Sequence, residues 1–181
     1  VLTFVPTYIR YKLDTGATGQ VIGRYEDHRA KLDKKLMDVV SEHAIVFLDD
    51  DNQPRHDIPF TIRFKNVALW SFIELRDKAY RQLEKAVSQF TNRRYQGKNQ
   101  QWRSLGVLHV GFKAQKEGEA RNKSYCCKSE LLTPIKVDNL SEMFLGGAEA
   151  KETIWDLHAL IAGFDELPAS PGQTNRLPPL A

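Results

Sequence analysis

Cysteine is nearly missing from this chain: Cys126 and Cys127 are its two thiols, and they are adjacent. Neighbouring cysteines seldom bridge, because the small ring strains the peptide between them, so a disulfide framework is excluded. Thiols without partners point to a reducing, intracellular setting, and a cytoplasmic location is the expectation. Long apolar runs are missing too. No stretch nears the roughly 20 residues that a spanning helix needs, and the mean hydropathy is -0.46, so no membrane role is expected. The hydrophobic fraction of 41% still suffices for a packed core in 181 residues. The chain opens on Val1 rather than methionine, so its natural start is expected upstream and the lack of a signal peptide carries little weight.

The most informative absence is local. No Asp or Glu occurs between Lys85 and Lys116, where about four are expected from the 23 acids of the chain. The same window holds Lys85, Arg93, Arg94, Lys98, Arg103, Lys113 and Lys116. At its centre, residues 89–103 interleave cations and amides with Tyr95 and Trp102. So polar a run cannot bury itself, which leaves a solvated loop or an anion-facing surface. The net charge of +3 conceals the segregation: residues 1–84 balance to zero, 85–128 reach +8 and 129–181 fall to -5. A basic middle followed by an acidic end reads as a binding surface with an acidic appendage, or as two blocks packed on each other.

Periodicity gives the frame. Leu2 to Leu13 reads as a strand broken by Pro6, residues 14–19 as a turn, and Val21 to Tyr25 as the returning strand. The charged stretch from Glu26 to Lys35 is expected as a loop or a short solvated helix through Leu32, Leu36, Met37 and Val40. His43 to Leu48 and Asp57 to Phe64 read as a hairpin around Asp49, Asp50 and Asp51. From Asn66 the period becomes helical: Leu69, Phe72, Ile73, Ala79, Tyr80, Leu83, Ala86, Val87 and Phe90 share one face, with Asn66 or Ser71 as the cap. Leu105 to Phe112 and Ser124 to Ile135 read as a second hairpin, Asn139 to Phe144 as a helical turn, and Ala148 to Phe164 as a helix ending near Gly163. The expected class is α+β: a small antiparallel sheet or an oligonucleotide-binding type of barrel, with the long helix between the third and fourth strands. The expected organisation is a domain over 1–147, a C-terminal helix over 148–164 and a disordered proline-rich tail over 165–181.

Other chemistry finds little footing. An EF-hand beginning at Asp49 would need Gly and Glu where the chain has Pro54 and Phe60. The acids at 49–51 therefore read as turn formers, and a metal-dependent nuclease using them is the least unlikely enzymatic reading. The histidines, His28, His43, His56, His109 and His158, show no ligand spacing. Cys126 and Cys127 point to opposite faces of a strand and cannot jointly grip a metal. Asp14-Thr15-Gly16 reads as a turn rather than a protease motif, and no glycine-rich phosphate cradle is present. No catalytic residue, metal ligand or cofactor is assigned.

The expected function is a domain binding single-stranded nucleic acid. Arg93, Arg94, Lys98, Arg103, Lys113, Lys116 and Lys123 would contact phosphates, and Tyr95, Trp102 and Tyr125 would stack on bases. The alternative is an interaction or assembly module whose basic segment docks an acidic partner or the chain's own acidic 129–181 region.

Overall fold

The computed structural model of the protein describes residues 1–4, 7–11, 19–118 and 123–167. The turn expected over 14–19 (Gly19 apart), the residues 119–122 within the second hairpin's turn and the tail from 168 lie outside the described residues.

The architecture is assembled on one strand, β4 (Met37–Ile45), whose residues from Asp38 to Ala44 are all buried. β5 (Phe60–Lys65) runs antiparallel along one edge, from Ile45 opposite Phe60 to Val40 opposite Lys65. The other edge is shared. β2 (Tyr8–Tyr11) pairs with the first half of β4, and β1 (Thr3–Phe4) pairs with the second. β3 (Val21–Arg24) lies outside β2, with a register shift between Ile9 and Arg10. Together they form a five-stranded antiparallel sheet. A short helix α1 (Tyr25–His28) and a 3-10 turn (Arg29–Lys31) lead from β3 toward β4.

The short helix and turn over 25–31 fit the expectation for the charged stretch, and the start of β4 corrects it for residues 37–40. Met37 to Val40 is strand, and its acids are the reason the alternation was hidden. Asp38 lies 3.9 Å from Arg10 and 3.7 Å from Lys65, and it accepts from the Asn66 amide at 3.1 Å. Glu42 accepts from Arg63 Nε at 2.6 Å and from the Tyr8 hydroxyl at 3.3 Å. Buried carboxylates are tolerable only when charge-paired and hydrogen-bonded in this way. A strand carrying them reads from sequence as a solvated segment.

After β5 the chain turns at once into α2 (Asn66–Phe90), as its periodicity predicts. Asn66 stands at φ 51° and ties the helix start to β4, accepting from the Val39 amide at 3.3 Å. The N-terminal half of α2 covers one face of the sheet, where Leu69 and Phe72 meet Val39 and Phe64. On the opposite face, Tyr8, Val40 and Ala44 pack with Leu105, Val107 and with Ile154 and Leu157 of the last helix, α5 (Ala148–Ala159). The C-terminal half of α2 buries Ala79, Leu83 and Ala86 against Ile135, Leu140 and Met143, the last two from the helical turn α4 (Leu140–Met143). At Gly106 the backbone passes so close beneath Leu83 that a Cβ would stand 2.8 Å from its Cδ2.

The second hairpin is a separate two-stranded ribbon, β6 (Val110–Glu117) with β7 (Ser124–Leu131), in register from Val110 opposite Leu131 to Glu117 opposite Ser124. The strand expected to begin at Leu105 starts five residues later. Residues 105–107 instead pair loosely with 143–145, through the Val107 amide to the Met143 carbonyl and the Leu145 amide to the Leu105 carbonyl. The fold is α+β, and no closed barrel forms among the described residues. α2 follows the fifth strand, not the third. The physical reason is β4 itself: its two buried faces demand a cover on each side of an open sheet, whereas a barrel would turn one face outward. Among the described residues no helix is long and apolar enough to cross a membrane.

Two stability tests follow from this core. Leu83 is fully buried, so Leu83→Ala is expected to cost about 2–5 kcal/mol by urea denaturation, while Phe90→Ala, at an exposed ring, changes stability by less than about 0.5 kcal/mol. His43 is the second: burial, aided by the nearby Arg76 charge, lowers its pKa to about 3 from 6.5. The unfolded chain then binds a proton near pH 6.5 that the folded chain refuses. Stability is full above pH 6.5 and falls by about 1.4 kcal/mol per unit as the pH drops toward 3. Denaturation midpoints at pH 7 and pH 5 should show this loss, and His43→Gln should flatten it.

Candidate nucleic-acid interface

The basic segment is held by a buried acid. Glu84 lies one residue before the acid-free window, on α2, with its side chain wholly out of solvent. Its Oε1 accepts from the Lys98 amide at 3.0 Å and from Arg103 Nε at 2.9 Å, and its Oε2 accepts from the Tyr95 hydroxyl at 2.7 Å. Arg103 Nη2 adds a second contact at 2.8 Å. Burial opposes ionisation of Glu84, but the Lys98 N–H, Tyr95 and Arg103 outweigh it and hold the carboxyl below its usual value. The same bond to Glu84 raises the Tyr95 phenol.

Both ends of this loop are built by local chemistry. α2 stops where Asn92 adopts φ 48°, the left-handed position that ends a helix. The Asn92 amide donates to the Gln89 carbonyl at 3.2 Å and the Arg93 amide to the Ser88 carbonyl at 2.9 Å. At the other end Asn99 caps the short helix α3 (Gln100–Arg103), accepting from the Trp102 amide at 2.9 Å. Arg103 also lies over the Tyr80 ring at 5.5 Å. Trp102 is half-buried: its ring lies 5.0 Å from that of Phe144 and packs on the cluster around Leu83. The Trp155 indole donates to the Gln101 carbonyl at 3.1 Å, which fastens α5 to the same segment. Every residue from Thr91 to Asn99 is nonetheless exposed.

Among the expected contact residues, Arg93, Arg94 and Lys98 thus stand in solvent on a fixed backbone, with Tyr95 half-exposed beside them. Arg93 and Arg94 also follow directly on the negative end of the α2 dipole, where cations are favoured. Arg103 and Trp102 are committed to Glu84 and Phe144 and act as anchors. The remaining residues lie on the ribbon. Lys113 pairs with Glu130 and Lys128 with Glu117. Lys116 sits 5.7 Å over the ring of Tyr125, a residue 75% exposed, and Lys123 faces solvent.

The loop and the ribbon do not form one patch. The Ser129 amide donates to Ser71 and the Ile135 amide to Gln82, so β7 runs along α2 with its Ser124 end beyond the helix start. At 1.5 Å per residue, Arg93 and the ribbon's outward cations are on the order of 30 Å apart. The basic and acidic blocks meet in the ion pair of Lys113 with Glu130 and in the contact of Trp155 with Gln101.

The other candidates resolve into structural parts. Asp49 Oδ1 accepts from the amides of Asp51 at 3.0 Å and Gln53 at 2.8 Å, so it shapes the hairpin turn. The His56 ring bridges the Phe47 amide and the Ile58 carbonyl, and His43 packs against Phe64 and Phe72. His109 is exposed and contacts Thr133 at 2.9 Å. Cys126 and Cys127 are both unbridged, opposite Gln115 and Ala114. Glu84 itself was not singled out from sequence. Its signal was there, in the stripe Arg76, Tyr80, Glu84 at four-residue spacing beside the apolar face.

Glu84→Ala removes the acceptor for three groups at once. It should cost about 2–4 kcal/mol, since the partners are left without their acceptor and Arg103 retains some solvent. Hydrogen exchange is the sharper readout: the Lys98 amide should lose its protection while the amides in the middle of α2 keep theirs. The carboxylate's contribution is present above its unfolded value of 4.5 and is lost as the pH falls through the lower folded value.

No curated protein and no solved structure matches the chain. One family model does, over residues 1–176, and it is described as a domain of unknown function, DUF5895. A match of that extent makes the chain a member of the DUF5895 family.

Proposed function

We propose that this domain binds single-stranded nucleic acid through the loop that follows α2. The observation that supports the reading is the combination of an exposed run from Thr91 to Asn99 with a backbone pinned to the buried Glu84. A loop held in this way loses less backbone entropy on binding than a floppy one. Arg93, Arg94 and Lys98 supply phosphate contacts, and Tyr95 offers a ring for stacking. Lys116, Lys123 and Tyr125 on the ribbon form a second, distant contact for a longer strand, with Lys113 contributing once it leaves Glu130.

A second reading is an assembly module. Phe47 and Phe60 are 54% and 53% exposed, and with His56 they cluster beside the acidic turn at Asp49. Such a patch suits a protein surface better than a strand.

Fluorescence polarisation with a labelled single-stranded oligonucleotide separates the readings. Binding should be present at low salt and weaken as salt rises. Arg93→Glu with Arg94→Glu should weaken it at least tenfold and lower the salt slope by about 0.7 for each phosphate that is no longer neutralised. No binding at low salt sinks the strand reading, and indifference to salt sinks its phosphate contacts.

A further inference from the structure

Beside the loop lies a cavity of about 830 Å³ between α2, the 95–103 segment and the chain just after α5. Its size suits a small molecule, since ligand sites run from roughly 300 to 1,000 Å³. Its chemistry is mixed. Arg81, exposed and without an ion-pair partner among the described residues, stands close enough to Tyr95 for its charge to act on the phenol. Arg76, 5% exposed, forms part of the wall with its Nε and Nη2 on Asp77 at 3.1 and 2.7 Å. Gln100 and His158 add neutral donors and acceptors, for burial lowers the His158 pKa and keeps the ring uncharged near neutrality. Asp165 completes the lining with a carboxylate.

Neither a bare anion nor an apolar ligand uses that set. A bare anion would meet Asp77 and Asp165 as well as the arginines, and an apolar ligand would leave the Gln100 amide, the His158 imidazole and the Asp165 carboxylate unused. A nucleotide uses all of it. Its phosphate suits Arg81, its base suits the Tyr95 face and the hydrogen-bonding edges of Gln100 and His158, and its sugar hydroxyls suit a carboxylate.

We infer that this cavity is a subsite for a single nucleotide, held by Arg81 at the phosphate and by Tyr95 at the base. The inference rests on the strand-binding reading above and deepens it, because Tyr95 serves both the loop and the cavity. Two sources share the chemistry: a free mononucleotide, or one nucleotide of the bound strand turned out of its path.

Calorimetric titration of the full chain with AMP, UMP and inorganic phosphate provides the test. At least one nucleotide should bind, once per chain and at least tenfold more tightly than phosphate. Arg81→Glu, at an exposed position that leaves the circular dichroism unchanged, should weaken it at least tenfold, while Arg81→Lys should retain most of it. If the nucleotide displaces the labelled oligonucleotide, the cavity holds a nucleotide of the strand; if both bind together, it is a separate mononucleotide site. A protein that binds the strand but neither nucleotide overturns the inference and leaves the strand reading standing. Nucleotide binding no tighter than that of phosphate, or unaffected by Arg81→Glu, overturns it too. A protein that binds neither strand nor nucleotide overturns both.

Discussion

One buried carboxylate organises the basic part of this molecule. Glu84 costs free energy to desolvate, and the loop that wraps it returns that cost as a backbone amide, a phenol and a guanidinium. Without those donors a carboxyl at that depth would be driven toward its neutral form, so the segment from Tyr95 to Arg103 is what keeps it charged. The consequence reaches α5, because Gln101 receives the Trp155 indole and Trp102 meets Phe144. One helix residue thus fixes a loop conformation, and that loop adds a hydrogen bond to a last helix already packed on the core through Ile154 and Leu157.

The sheet repeats the same physics on a larger scale. Asp38 and Glu42 sit in the central strand, yet each is answered by cations on neighbouring strands. These partners are register-specific: Arg10 lies opposite Asp38 and Arg63 opposite Glu42. A slip of β2 or β5 by one residue would leave a carboxylate buried and unanswered, so the pairs discriminate between registers more than they add stability. α2 then spans both regions, its first half against the sheet and its second half against the chain that carries the loop.

What the sequence revealed and what it hid divide along this line. α2 was legible because its apolar spacing is clean along its whole length and Asn66 marks its start, although the Asn66 side chain bonds to Val39 instead of capping the helix. The ribbon and the C-terminal helix were legible in kind, with boundaries displaced where extended chain at 105–109 resembles strand. β4 was legible only in its apolar second half, since Asp38 and Glu42 make the first half look solvated until their cross-strand partners are known. The charge segregation was correct as arithmetic and incomplete as geometry. Arg93 and Lys116 belong to one basic window in sequence, but a helix lies between their positions in space. Glu84 was passed over because it falls just outside a window defined by the absence of acids.

The way Glu84 grips the loop decides which of its positions can change. At position 98 it binds the backbone amide, not the lysine side chain. Any residue but proline supplies that amide. The stretch from Gln96 to Asn99 is exposed, and Gly97 has open space around it. The loop can therefore change its outward side chains while keeping its path, provided that Tyr95, Asn99 and Arg103 remain. The residues that set the shape of this surface are thus separate from those that face solvent, so its outward chemistry is free to change without a change of fold.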